Sequence, residues 1–147
     1  MASWLPTAGG DTPERLLAAV APTVAARLGA LTDGFRQPDA LEPAVLELCR
    51  RRITMLHRYD PGPAPGPEPP AAQCAALSAW PTSPLFTTLE RACLGFAEQF
   101  VLDPHGMTDA AFAELRRLLD ARAIATLALA VATFDATTRF AVAMAAD

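Results

Sequence analysis

The chain has no lysine at all: its twelve basic residues are all arginines. Aromatics make up 7%, with a single tyrosine, and β-branched residues are sparse outside a few stretches. That shortage disfavours strands, so the apolar 52% of the chain, mostly alanine and leucine, points to helix. Net charge is -4 with a pI near 5.1, which excludes the basic footprint of a nucleic-acid-binding surface. The arginine-for-lysine usage reflects GC-rich codons more than function. There is no C-x-x-C pair among Cys49, Cys74 and Cys93, an odd number, so neither a disulfide framework nor a dithiol redox centre is indicated. His57 and His105 stand far apart without clustered acids, so no metal site is expected. A glycine-rich phosphate loop, a G-x-S-x-G elbow and a nucleotide fingerprint are all missing, and no cofactor is expected. The opening MASWLPTAGGD lacks the charged and apolar regions of a signal peptide. The apolar run 123–134 is short for a bilayer span and is stopped by Asp135. A cytoplasmic protein with no membrane and no nucleic-acid partner is the expectation.

What the sequence does hold is helical punctuation. Its 147 residues suit one domain, spanning 1–147, with residues 1–11 a loose terminus. The organising stretch is Leu41 to Asp60, LEPAVLELCRRRITMLHRYD. Pro43 fits a first helical turn, and Val45, Cys49, Ile53 and Leu56 recur at helical spacing on one face. A helix from about Pro43 to Arg58 follows. Upstream, Thr12 and Pro13 open a helix, and Pro22 kinks it or starts another. Downstream, six prolines between 60 and 70 forbid helix or central strand. The strip reads as an exposed spacer, with a lid or a partner-binding strip as alternatives. A short helix at 71–79 comes next, then a break at 80–84. Thr87 and Glu90 form a capping box, with Leu89, Cys93, Phe96 and Phe100 as the following apolar stripe. Thr108 caps a further helix, stapled by Met107 and Phe112, with Leu115, Leu118 and Leu119 inward. Asp120 caps a last helix, apolar nearly all round from Ile124 to Phe134, as at a domain centre or a subunit contact. The fold class is therefore all-α, a compact bundle of six to seven helices.

The helices LEPAVLELCRRRITML and LFTTLERACLGFAEQFVLDPHGMTDAAFAELRRLL, followed by an apolar helix ending FDATTRFAVAM, occur in an order similar to the carboxymuconolactone decarboxylase family, which includes the alkylhydroperoxidase D-like (AhpD-like) proteins. The resemblance spans roughly residues 35 to 145. Members of the peroxidase branch carry a C-x-x-C pair after this core helix, a glutamate upstream and a histidine downstream. On this chain the glutamate position is Glu47, but the cysteine positions fall on Tyr59 and Gly62 and the histidine position on Gly66. Peroxide reduction needs a thiolate and a resolving thiol, so the chain is not expected to be a thiol peroxidase.

Chemistry then rests on acids, bases and arginines. Glu47, which the resemblance places in a proton relay, is the candidate acid or base, with His57 and Tyr59 as assisting catalytic groups. An unbroken helix would hold Glu47 and Tyr59 about 18 Å apart, so they share a site only if the helix breaks or another segment intervenes. Simpler uses stand beside these. Glu47 with Arg50 and Arg51 reads as i,i+3 and i,i+4 ion pairs on a solvated face, and His57 as a helix cap. Arg50 and Arg51 are candidate binders of an acidic substrate group, and Asp135 with Arg139 would line a pocket or pair in solvent. Two functions follow. One is a thiol-free protein that binds a small organic molecule and acts by lyase, lactone or isomerase chemistry. The other is a non-catalytic structural or regulatory subunit. A homo-oligomer is expected in either case.

Overall fold

The structure is a computed structural model that describes residues 12–62 and 64–145; the N-terminal expectation for residues 1–11 lies outside them. Among the described residues seven α-helices follow one another: α1 (Pro13–Val20), α2 (Pro22–Gly34), α3 (Pro43–Leu56), α4 (Ala71–Ala76), α5 (Thr88–Leu102), α6 (Asp109–Leu118) and α7 (Ala121–Ala145). Two 3-10 turns, Leu77–Ala79 and Pro104–Gly106, complete the regular structure.

The caps fall where the sequence puts them. The Thr12 hydroxyl accepts from the Arg15 N–H at 3.3 Å, and Pro22 starts α2. Thr87 and Glu90 close a reciprocal capping box at 3.1 and 2.8 Å, and the Asp120 carboxylate accepts from the Ala123 N–H at 2.8 Å. Each satisfies donors that the first helical turn leaves without a partner. Helix α3 stops two residues earlier than periodicity suggests. Arg58 adopts φ 53°, and the N–H groups of Arg58 and Tyr59 bond back to the carbonyls of Met55 and Thr54. This is the Schellman ending usually given to glycine.

The core forms around α3, which packs against α5 and α7. Leu48, Cys49 and Ile53 meet Cys93, Leu94, Leu127 and Val131, none more than 1% exposed. Each large aliphatic side chain so placed contributes about 2 kcal/mol of burial. Helix α6 lies on α5, and the α1–α2 hairpin rests on α7. One expectation is corrected: Leu118 is exposed, because Phe112 and Leu119 share one flank of Leu115 on α6 while Leu118 lies on the other. Helix α7 continues past Asp135 to Ala145 and is long and apolar enough, by length and composition alone, to cross a membrane. Its inward residues Leu127, Ala130, Val131 and Phe134 are nevertheless part of the core.

The break before α5 is held chiefly by Arg91, with the Gln73 amide donating to the Leu85 carbonyl at 2.9 Å. Arg91 donates to the carbonyls of Trp80 (3.1 Å), Pro81 (2.6 Å), Phe86 (3.2 Å) and Ser83. The proline strip is mostly exposed, yet Pro69 is buried and Glu68 meets Arg51 at 3.3 Å. Gly66 sits at φ +121°, and a Cβ there would lie 3.2 Å from the Arg36 side chain, so the strip crosses the body closely at that point.

Candidate functional site

Helix α3 places Glu47, Arg50 and Arg51 one turn apart on its flank. The Arg50 guanidinium grips Glu47 through two parallel hydrogen bonds of 2.7 and 2.8 Å, and Arg51 adds a third at 2.8 Å. The i,i+3 and i,i+4 spacing is thus realised, but not on a solvated face: the Glu47 and Arg50 side chains are only 15% and 16% exposed. Burial by itself would push the Glu47 carboxyl up, but the hydrogen bonds and charges of the two arginines outweigh it and hold it below the ordinary value of 4.5. A carboxylate with three charged donors on its oxygens is a holder of arginines, poorly suited to giving and taking protons near neutrality.

Arg51 reaches further, donating to the Cys74 sulfur at 3.2 Å and to Glu68. Arg50, Arg51, Thr54, Tyr59, Glu68 and Cys74 line an open cleft of about 490 Å³ at the C-terminal end of α3. Tyr59 reaches this cleft because the Schellman ending turns the chain back beside α3. Burial first, then the nearby Glu14 and Asp60 carboxylates, raise the Tyr59 hydroxyl above its ordinary 10, so it stays a protonated donor. Under residues 65–67 a narrow space of about 20 Å³ touches both Glu47 and Arg50. A third cavity, of about 280 Å³, lies between α1, α2 and α7, and Arg50 borders it as well.

His57 goes elsewhere. Its Nε2 meets Asp135 Oδ1 at 2.7 Å, and Arg139 holds both Asp135 oxygens at 3.0 Å. The three catalytic candidates therefore do not converge. Glu47 is locked under the strip, Tyr59 faces the cleft with Arg50 and Arg51, and His57 forms a separate cluster with Asp135 and Arg139. Asp135 and Arg139 pair as i,i+4 neighbours, with Asp135 half-buried, but they serve the imidazole instead of the arginine-lined cleft. Sequence reasoning missed Glu68 and Cys74, and also the network in which Arg52 and the Trp80 indole both donate to Glu98. No local pattern announces partners 17 to 46 residues apart.

With this geometry the helix arrangement can be compared with known proteins. No family model and no curated protein matches the chain. Among solved structures, the chain superposes on a protein of unknown function from Agrobacterium tumefaciens, one suggested to be the antioxidant defence protein AhpD. The TM-score is 0.70 over 88% of this chain and 93% of that one, at 22% sequence identity. The fold is AhpD-like. At this identity the likeness is one of fold, and the chemistry has to come from this chain's own residues. Within the AhpD-like fold, Cys49 and Cys93 are fully buried. Burial, with Cys93 beside it, pushes the Cys49 thiol well up, and burial with the Glu90 charge lifts Cys93 to about 12. Cys74 is half-buried and free.

Proposed function

We propose that this AhpD-like chain, which lacks the C-x-x-C pair, binds a small organic molecule without thiol chemistry, in the cleft at the C-terminal end of α3. The observation that carries this reading is the setting of Arg50 and Arg51. Both are oriented by a half-buried glutamate, and both border a cleft that no described side chain fills. Fixed guanidinium groups with a protonated Tyr59 across from them suit an acidic or carbonyl-bearing ligand. In such a site Tyr59 donates the proton and Glu47 positions the arginines, so turnover would be acid–base chemistry of the lactone, lyase or isomerase type. Peroxide reduction is not part of the reading, because two of the three thiols are buried and protonated.

The test is titration calorimetry with a panel of small lactones and carboxylates. Saturable binding should weaken by about tenfold in Arg51→Ala, which removes a charged donor. It should persist in a triple Cys→Ser chain. Binding that vanishes with the cysteines and survives Arg51→Ala would sink the proposal. A second reading, a structural subunit of a homo-oligomer, draws on the exposed apolar side chains Val20, Val24, Leu129 and Val142. Sedimentation showing a monomer at micromolar concentration would remove it.

A further inference from the structure

We infer a second ligand site, the cavity between α1, α2 and α7, and assign to it a small monocarboxylate with an apolar body. The walls are Leu17, Leu28, Phe134 and Phe140, and the half-buried Arg50 and the exposed Glu14 border it as well. Two hydroxyls also border it, but both are spent. Thr32 donates to the carbonyls of Leu28 and Gly29 at 3.1 and 3.0 Å, and Thr137 to those of Thr133 and Phe134 at 2.9 and 3.2 Å. Arg50 uses Nε and Nη2 on Glu47, while its Nη1 has no hydrogen-bond partner among the described residues. The side chain that borders the cavity and keeps an uncommitted donor is therefore cationic, and an apolar chamber with such a side chain in its wall is matched by a carboxylate.

Gly29 supports the assignment independently. It sits inside α2, where glycine is a poor helix former, and it also borders the cavity. Neither an unusual backbone angle nor a close neighbour requires it: a Cβ there would meet nothing within 4 Å. What the missing side chain leaves is space in the cavity. At about 30 Å³ for each water-sized group, 280 Å³ holds on the order of nine non-hydrogen atoms. That is the size of a phenyl or short branched acid.

The probes are phenylacetate, its neutral amide and phenethylamine, followed by protein-observed NMR on the full chain. Phenylacetate should shift signals of Leu17, Leu28 and Phe140 saturably and bind about tenfold more tightly than phenylacetamide, the difference of one charge-assisted contact. Gly29→Leu sets its Cβ in open space, directs its side chain toward the cavity and exchanges glycine for a better helix former, so it should fold and lose this binding. In Tyr59→Phe, which removes a hydroxyl lining the α3 cleft, the phenylacetate shifts of Leu17, Leu28 and Phe140 should persist. The assignment is overturned if no saturable shift occurs, if Gly29→Leu still binds, or if the amide matches the acid. It is equally overturned if phenethylamine binds more tightly, since the rim carboxylate of Glu14 would then govern the site. Loss in Tyr59→Phe with retention in Gly29→Leu would move the ligand to the cleft, leaving the proposed function standing and this site refuted.

Discussion

Helices α3 and α2 are nearly equal in length and opposite in what they bury. Seven residues of α3 are buried, from Pro43 to Thr54, whereas α2 buries none and α1 only Leu16. Val20, Val24 and Leu31 of the hairpin face outward. The difference locates stability in the α3, α5 and α7 core and leaves the α1–α2 hairpin as a thinly attached cover. The 280 Å³ cavity lies on the seam between the two. Elements that admit ligands are commonly drawn from the less stable part of a fold, since entry requires opening.

The contrast can be broken most forcefully in the core. Ile53→Ala should cost about 4 kcal/mol in urea unfolding, while Leu28→Ala on the hairpin should cost under about 1. Hydrogen exchange should follow the same order, with amides of α1 and α2 exchanging well before those of α3. Equal losses from the two variants would erase the distinction.

Next in size is the half-buried ion cluster on α3. Glu47→Ala leaves Arg50 without its partner, and Arg51 with only the exposed Glu68 and the Cys74 sulfur, at a cost of about 2 kcal/mol. The same cluster gives acid sensitivity. The Glu47 carboxyl is depressed in the folded state, so its contribution is fully present above the ordinary 4.5 and is lost as pH falls through the folded value. Glu98 behaves alike: burial raises it, but the hydrogen bonds from Arg52 and Trp80 prevail and lower it. Urea midpoints should be flat from neutrality to about pH 4.5 and then decline. In Glu47→Gln the decline should be shallower.

Thiol chemistry gives a yes-or-no comparison. Of three free cysteines, only Cys74 lies outside the core. A disulfide reagent at pH 8 should count one fast thiol in the native chain and three after unfolding. Two fast thiols would mean the core opens locally. The smallest effect belongs to the end of α3, where Arg58 occupies a conformation that favours glycine. Arg58→Gly should stabilise the protein by about 0.5 kcal/mol, the relief exceeding the extra freedom of the unfolded chain. Thermal denaturation resolves such a shift.

Much of the fold was legible because helix ends write themselves into neighbouring residues. Thr12, Thr87 with Glu90, Thr108 and Asp120 each cap a turn only two or three residues away. The site was legible only in part, for the same reason in reverse. Glu47 with its arginines lies within one turn of helix, so the pairing could be read; its burial depends on the proline strip and on α2, and could not. His57 and Asp135 are 78 residues apart, and no periodicity joins them. Nor did spacing reveal that Arg50 would border three cavities, since that depends on where α1, α2 and α7 come to rest.

One guanidinium replaces a secondary-structure element in the stretch between the short helix at 71–76 and α5. Arg91 collects four carbonyls that no strand or turn ladder serves. Much of the information that shapes residues 80–86 is therefore stored at one position inside the next helix, with Gln73 adding a bond to the Leu85 carbonyl. Apart from Ser83, whose hydroxyl accepts from the Leu85 N–H, the loop's own letters are less constrained, because a carbonyl is the same in every amino acid. Sequence drift should be tolerated along the loop and forbidden at Arg91, with even lysine a poor substitute, since an ammonium lacks the flat spread of donors needed to reach all four oxygens.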